Sequence, residues 1–185
     1  MFEKLCLLAE VTRPIHSMIE WGPGGGTNAV QFCSEVTHLY GVDISAANLA
    51  ECERQLEMRG FLGFRPILVD AKQPELCQAC MESPAAFFLS TAVYQHFPSK
   101  QYGVRVTELA HRLLADGGAA LIQIRYDDGS ERFKPRQRDY CSNVVTFTSY
   151  GIVEFWQIVT QLGFNPLAIV LDPKVNYAYY FLEKG

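Results

Sequence analysis

Residues 19–30 read IEWGPGGGTNAV, with Gly22, Gly24, Gly25 and Gly26 crowded around one proline between an apolar run and the first turn of a helical pattern. Glycine costs backbone entropy wherever it stands, so a cluster this dense marks a turn where backbone must come close to a ligand. The helix that follows offers unpaired N–H groups to a polar or negative group. Two spacings fit. Gly24, Gly26 and Ala29 make GxGxxA, a dinucleotide fingerprint, with Asp43 nearly twenty residues on as a ribose acceptor. Glu20, Gly22, Gly24 and Gly26 make ExGxGxG instead. A pyrophosphate beside the Glu20 carboxylate would be repelled, whereas the two oxygens of an aspartate suit a vicinal diol.

These residues need a scaffold, and the hydrophobic periodicity supplies one. An amphipathic helix over 2–12, ended by Pro14, leads into a short apolar strand at 16–20; after the glycines, Ala29, Val30, Cys33 and Val36 recur at helical spacing. A second strand (37–43) precedes a helix capped by Ser45, with Leu49, Cys52 and Leu56 on one face and Gly60 as its stop. Strands follow at 64–70 and 85–91. A helix through Val106, Leu109, Ala110, Leu113 and Leu114, closed by Gly117 and Gly118, then leads into a fifth strand, AALIQIRY. Strands that are nearly continuous apolar runs, alternating with helices, imply a mostly parallel sheet covered on both faces, with ligands at the carboxyl ends of the strands. The end of the chain departs from that rhythm. After a helix around Val153, Trp156, Val159 and Leu162, the runs FNPLAIVL and NYAYYFLE are separated by DPKV alone, too short for a crossover, so they must pair antiparallel. The expected architecture is one α/β domain spanning 1–185, a seven-stranded, mostly parallel sheet with a C-terminal antiparallel hairpin.

Composition narrows the function classes. Of 185 residues 49% are hydrophobic and 19% charged, the balance of a globular domain. A net charge of −4 gives no overall attraction to nucleic acid or to an anionic membrane, so neither is expected as a partner. Glu3 and Glu10 interrupt the N-terminal apolar stretch, which does not read as a signal peptide, and cytoplasmic residence is expected. The six cysteines are then reduced thiols, and the CQAC at 77–80 is half a zinc site without its other half; no metal is expected, and the pair reads as a short helix with two packed thiols.

Taken in register, the motifs make the sequence similar to the class I S-adenosylmethionine-dependent methyltransferases. Glu20 with Gly22, Gly24 and Gly26 resembles their first motif, GVDIS their second strand's acidic end, and LVDA (68–71) the acidic position after their third strand. LSTAVYQHF (89–97) resembles the loop after their fourth strand, and LLADGGAALIQI the run into their fifth. The resemblance implies the Rossmann-like methyltransferase fold, with S-adenosylmethionine as methyl donor and S-adenosylhomocysteine as product. It implies that Glu20, Asn28 and the backbone of Trp21, Gly22, Gly24 and Gly26 surround the methionine portion, with Ser90 and Thr91 at the neighbouring strand end. Asp43 would hold the ribose hydroxyls, Asp70 the adenine amino group, and Ile44 and Ala71 would flank the ring. Two departures stand out: little more than one helix precedes the first strand, and the usual acidic residue opening the fourth strand is missing from SPAAFFLS. STAVY stands where methyltransferases acting on nucleic-acid bases carry DPPY or NPPY, so a small-molecule acceptor (O, N or C) is expected.

Methyl transfer is an in-line displacement in which positioning supplies much of the acceleration. If a base is used, His96 is the first candidate, because a neutral imidazole takes a proton near pH 7; the alternative is a histidine that packs the loop. Tyr126 is a second candidate, followed by Tyr94 and Asp127, whereas His16 and His38 are structural and His111, a surface or half-buried helix residue, is given no role. Arg132, Lys134, Arg136 and Arg138 within 127–149 are balanced by Asp127, Asp128, Glu131 and Asp139 and read as a solvated loop, with a substrate lid as the alternative. Three readings compete with a small-molecule methyltransferase: one acting on a protein or carrier-bound substrate, a silent S-adenosylmethionine-binding scaffold, and a nicotinamide-dependent oxidoreductase, for which the length leaves no substrate domain.

Overall fold

The computed structural model describes residues 6–130 and 148–185. Its elements run β1 (Ile15–Trp21), α1 (Thr27–Phe32), β2 (Val36–Asp43), α2 (Ala46–Glu57), β3 (Phe64–Leu68), β4 (Ala85–Ser90), α3 (Lys100–Leu113), β5 (Leu114–Arg125), α4 (Ile152–Gln161), β6 (Phe164–Asp172) and β7 (Tyr177–Lys184). Short 3₁₀ turns at Pro74–Cys80 and Tyr94–His96 follow β3 and β4. The strands form one sheet in the order β3-β2-β1-β4-β5-β7-β6. The first five are parallel, and β7 is inserted antiparallel between β5 and β6. A dinucleotide-binding sheet places its sixth strand beside the fifth in parallel, so this insertion separates the chain from that fold.

Side chains alternate across each strand, so every central strand feeds two cores. On one face Ile19, Phe88, Ala120 and Ile122 pack against Val106 and Leu109 of α3 and Phe155 and Val159 of α4. On the other, Met18, Phe87, Leu89 and Leu121 meet Ala29 of α1 and Leu49, Cys52 and Leu56 of α2. Each fully buried Val, Leu, Ile, Phe or Met among them contributes roughly 1.5–3 kcal/mol. The two cores hold the strand tips rigidly in one row.

Several boundaries differ from the sequence reading. The expected 2–12 helix stops earlier within the described residues: 6–8 are helical, and Glu10 takes a positive φ of 49° that ends it. Val36, expected on α1, instead opens β2 opposite Ile15, because α1 ends at Phe32 in a turn closed by Glu35 N–H donating to Phe32 O. Gly117 and Gly118 do not cap a helix. They lie inside β5, where the register slips against β4 between Ala85 and Phe87, and Gly117 (φ 72°) supplies the left-handed residue of that irregularity. In the CQAC turn only Cys77 is buried, while Cys80 is exposed. Among the described residues no group of three or more His, Cys, Asp or Glu is placed to hold a metal, and no helix is long and apolar enough to cross a membrane. The basic stretch 132–138 lies outside the described residues. Its flanks do not: Tyr126 and Tyr150 form a parallel bridge, with Tyr150 N–H donating to Arg125 O at 3.0 Å and Asp127 N–H to Tyr150 O at 2.9 Å.

Candidate active site

A cavity of about 440 Å³ opens at the carboxyl ends of the parallel strands, a volume suited to a small molecule. Trp21, Gly22 and Gly24 form its base, Asp43 and Ile44 with Ser45 and Asn48 one side, Val69 and Ala71 the next. The loop after β4 and the start of α3 close it with Ala92, Val93, His96, Phe97, Pro98 and Tyr102.

Gly22 makes the bend possible. Its φ of 75° favours glycine, its N–H donates to Val42 O at 2.8 Å, and a Cβ added there would collide with Val93 Cγ2. Asp43, the acidic residue of the wall, is 9% exposed. Its Oδ1 accepts the Ser45 N–H at 2.8 Å and its Oδ2 the Asn48 side-chain amide at 3.3 Å. A carboxylate has about four lone-pair sites, so two such donors fix its orientation and leave acceptor capacity toward the cavity.

Glu20 is different. It is the penultimate residue of β1, 1% exposed and outside the cavity wall, where its Oε1 accepts from Asn28 Nδ2 at 2.8 Å while Oε2 has no hydrogen-bond partner among the described residues. Burial pushes its carboxyl up to about 7, against the opposing pull of Asn28 and the Ala29 backbone. Asn28 also donates to Thr91 Oγ1 at 2.9 Å, so β1, α1 and the end of β4 are tied through one amide. Ser90 Oγ, fully buried, donates to Trp21 O at 3.2 Å. These residues brace the glycine bend from behind.

The structure brings Trp21, Gly22, Gly24, Asp43, Ile44, Ala71 and His96 together at the cavity. It sets Glu20, Asn28, Ser90 and Thr91 behind it, and Gly26 against α2, where an added Cβ would lie 3.1 Å from Cys52 Cα. Asp70 is exposed between the wall residues Val69 and Ala71, and its Oδ1 accepts the Lys72 N–H at 2.8 Å. Tyr126 is packed in the core, its N–H donating to Asn176 O; it is not part of the wall. Sequence reasoning missed Asn48, Phe97, Pro98 and Tyr102. Asn48 had a signal, since it stands three residues after the helix cap Ser45, whose Oγ accepts its N–H. Tyr102 had none, because it reaches the wall only through the packing of α3, with its ring 4.9 Å from that of Phe97. Arg105 pairs with Glu75 and donates to Lys72 O at 3.1 Å, which holds the Ala71 side of the cavity against α3.

No family model matches the sequence, and no curated protein matches it. Solved structures do match the fold. A S-adenosylmethionine-dependent methyltransferase from Clostridium acetobutylicum superposes with a TM-score of 0.78 at 11% identity, covering 100% of this chain and 89% of the other. The N-methyltransferase NodS from Bradyrhizobium japonicum, in complex with S-adenosyl-L-homocysteine, gives 0.72 at 11% identity over 98% of this chain and 84% of its own. An rRNA methylase from Streptococcus thermophilus gives 0.66 at 17% identity over 98% and 94%. The chain has the Rossmann-like fold of the class I S-adenosylmethionine-dependent methyltransferases, hairpin included.

Proposed function

We propose that the chain is an S-adenosylmethionine-dependent methyltransferase acting on a small molecule. One observation carries the reading: a carboxylate at the tip of β2, oriented by two donors and turned to a cavity whose base is a glycine bend. Asp43 accepts from both hydroxyls of a ribose there, and the apolar side chains of Ile44 and Ala71 flank a purine. Asp70, at the rim, takes the adenine amino group with its carboxylate. The braced backbone of Trp21, Gly22 and Gly24 leaves room for the methionine portion.

S-adenosylmethionine supplies a sulfonium methyl group; the methyl–sulfur bond breaks with its electron pair going to sulfur as the bond to the acceptor forms, leaving S-adenosylhomocysteine. The chain's own contribution is to hold both partners in line, which supplies much of the acceleration. His96 takes the proton of an acceptor that carries one. The net charge of −4 supports a small, non-nucleic-acid acceptor.

Calorimetric titration with S-adenosylmethionine, S-adenosylhomocysteine and NAD tests the cofactor. Binding of the first two is expected, and binding of NAD alone overturns the proposal. Release of S-adenosylhomocysteine in the presence of an acceptor separates an enzyme from a silent binder. His96→Ala is expected to leave cofactor affinity nearly unchanged and to lower the rate about a hundredfold; a rate within about threefold of wild type returns His96 to loop packing.

A further inference from the structure

Ala92 is the first residue past Thr91 in the loop that closes the cavity, and its φ of 59° lies in the left-handed region that L side chains rarely adopt. No glycine or asparagine is placed there to make that conformation easy. The backbone N–H of Ala92 donates instead to Gln123 Oε1 at 3.2 Å. Gln123 lies on β5 one residue past Ile122, the partner of Ser90, so its amide stands beside the exit of β4. It is 3% exposed, and its Nε2 has no hydrogen-bond partner among the described residues. A leucine would fill the same space without stranding an amide N–H, so packing does not account for a glutamine at this point.

The rest of the loop has its own anchors. His96 N–H donates to Val93 O at 2.8 Å, Thr148 N–H to Gln95 O at 3.1 Å, and Thr148 Oγ1 to Phe97 O at 2.6 Å. The entry to the loop is held by Gln123. The next residue, Val93, packs on Gly22 so closely that no Cβ fits between them, and His96 stands in the cavity wall three residues further on.

We propose that Gln123 is a positioning residue: its side-chain oxygen holds Ala92 left-handed, and this sets Val93 over the Gly22 bend and His96 at the cavity. It touches neither reactant and acts through the loop. The role in cofactor binding rests on the methyltransferase reading; the hold on Ala92 does not.

The test compares wild type with Gln123→Leu, Gln123→Glu and the double variant Gln123→Leu/Ala92→Gly. Folding is checked by thermal melting, hydrogen exchange of the residue 92 amide is followed by NMR without ligand, and affinity for S-adenosylhomocysteine is measured by calorimetry. Gln123→Leu is expected to lose at least tenfold of the amide protection and about tenfold in affinity. Gln123→Glu keeps an acceptor in place and stays close to wild type on both. The double variant is expected to recover affinity to within about threefold without recovering protection, because glycine adopts the left-handed conformation unaided. A merely structural glutamine would leave the double variant as impaired as Gln123→Leu. That result, or unchanged amide protection in Gln123→Leu, overturns the proposal. If wild type fails to bind S-adenosylhomocysteine, the cofactor reading falls, and the ligand-free exchange still decides the role of Gln123.

Discussion

The tips of β1 and β2 each carry a carboxylate, and the two are built for opposite ends. Asp43 is met by two donors that fix its oxygens at the edge of the cavity. Glu20 is buried more deeply, and that burial raises its carboxyl to about 7 even though Asn28 donates to one of its oxygens. Burial alone therefore does not aim a carboxylate at a cavity; the donors to Asp43 do, by fixing the direction its oxygens face. Both acids lie near strand tips, but Glu20 braces the bend from behind whereas Asp43 stands in the cavity wall.

The sharpest way to break this contrast is Asp43→Ala. Losing charge-assisted bonds to both ribose hydroxyls is expected to weaken S-adenosylhomocysteine binding by roughly 2–4 kcal/mol. An unchanged dissociation constant by calorimetry would place the ribose elsewhere.

Glu20→Gln probes the other acid through stability. Between the ordinary carboxyl value of 4.5 and about 7, the folded chain keeps a proton that the unfolded chain has released. Stability from this group is greatest below pH 4.5, falls as pH rises through that window, and is fully lost above about 7. Glutamine has nothing to ionise, and its carbonyl still accepts from Asn28. Urea melts should then find the variant more stable than wild type at pH 8, by on the order of 3 kcal/mol, with no difference at pH 4. Equal stability at both values would mean that Glu20 carries its charge without penalty in the folded chain.

Asp70→Ala is the mildest of the three. An exposed carboxylate at the rim shares its ligand contact with water, so the cost in cofactor affinity is expected below about 1 kcal/mol. A loss as large as that of Asp43→Ala would show the rim to be desolvated when the cavity is filled.

Much of this was legible in the sequence because it is written locally. Period-two and helical runs, the Ser45 cap and the four-residue DPKV link identify the strands, the helices and the antiparallel hairpin. Asp43 was readable from its place at a strand end after a glycine turn. What could not be read depends on neighbours distant in the chain. The Gly117–Gly118 irregularity exists because β5 must meet Ala85 and Phe87 in two registers. Gln123 looks like any polar residue in an apolar strand until β4 is laid beside it. Glu20 and Asp43 are both acidic in sequence, and only their burial and the donors around them tell them apart.

The bridge between Tyr126 and Tyr150 has a consequence for how this fold accommodates change. It pins the sheet-side ends of a span of 23 residues, 127–149, before and after whatever that span does. Each doubling of a closed span adds only about 0.6 kcal/mol of closure entropy, so insertions between Ser130 and Thr148, with Thr148 kept for its bonds to Gln95 and Phe97, would leave the strands and the Asp43 cavity in register. Selection could lengthen that interval while the cavity at the strand tips is inherited intact.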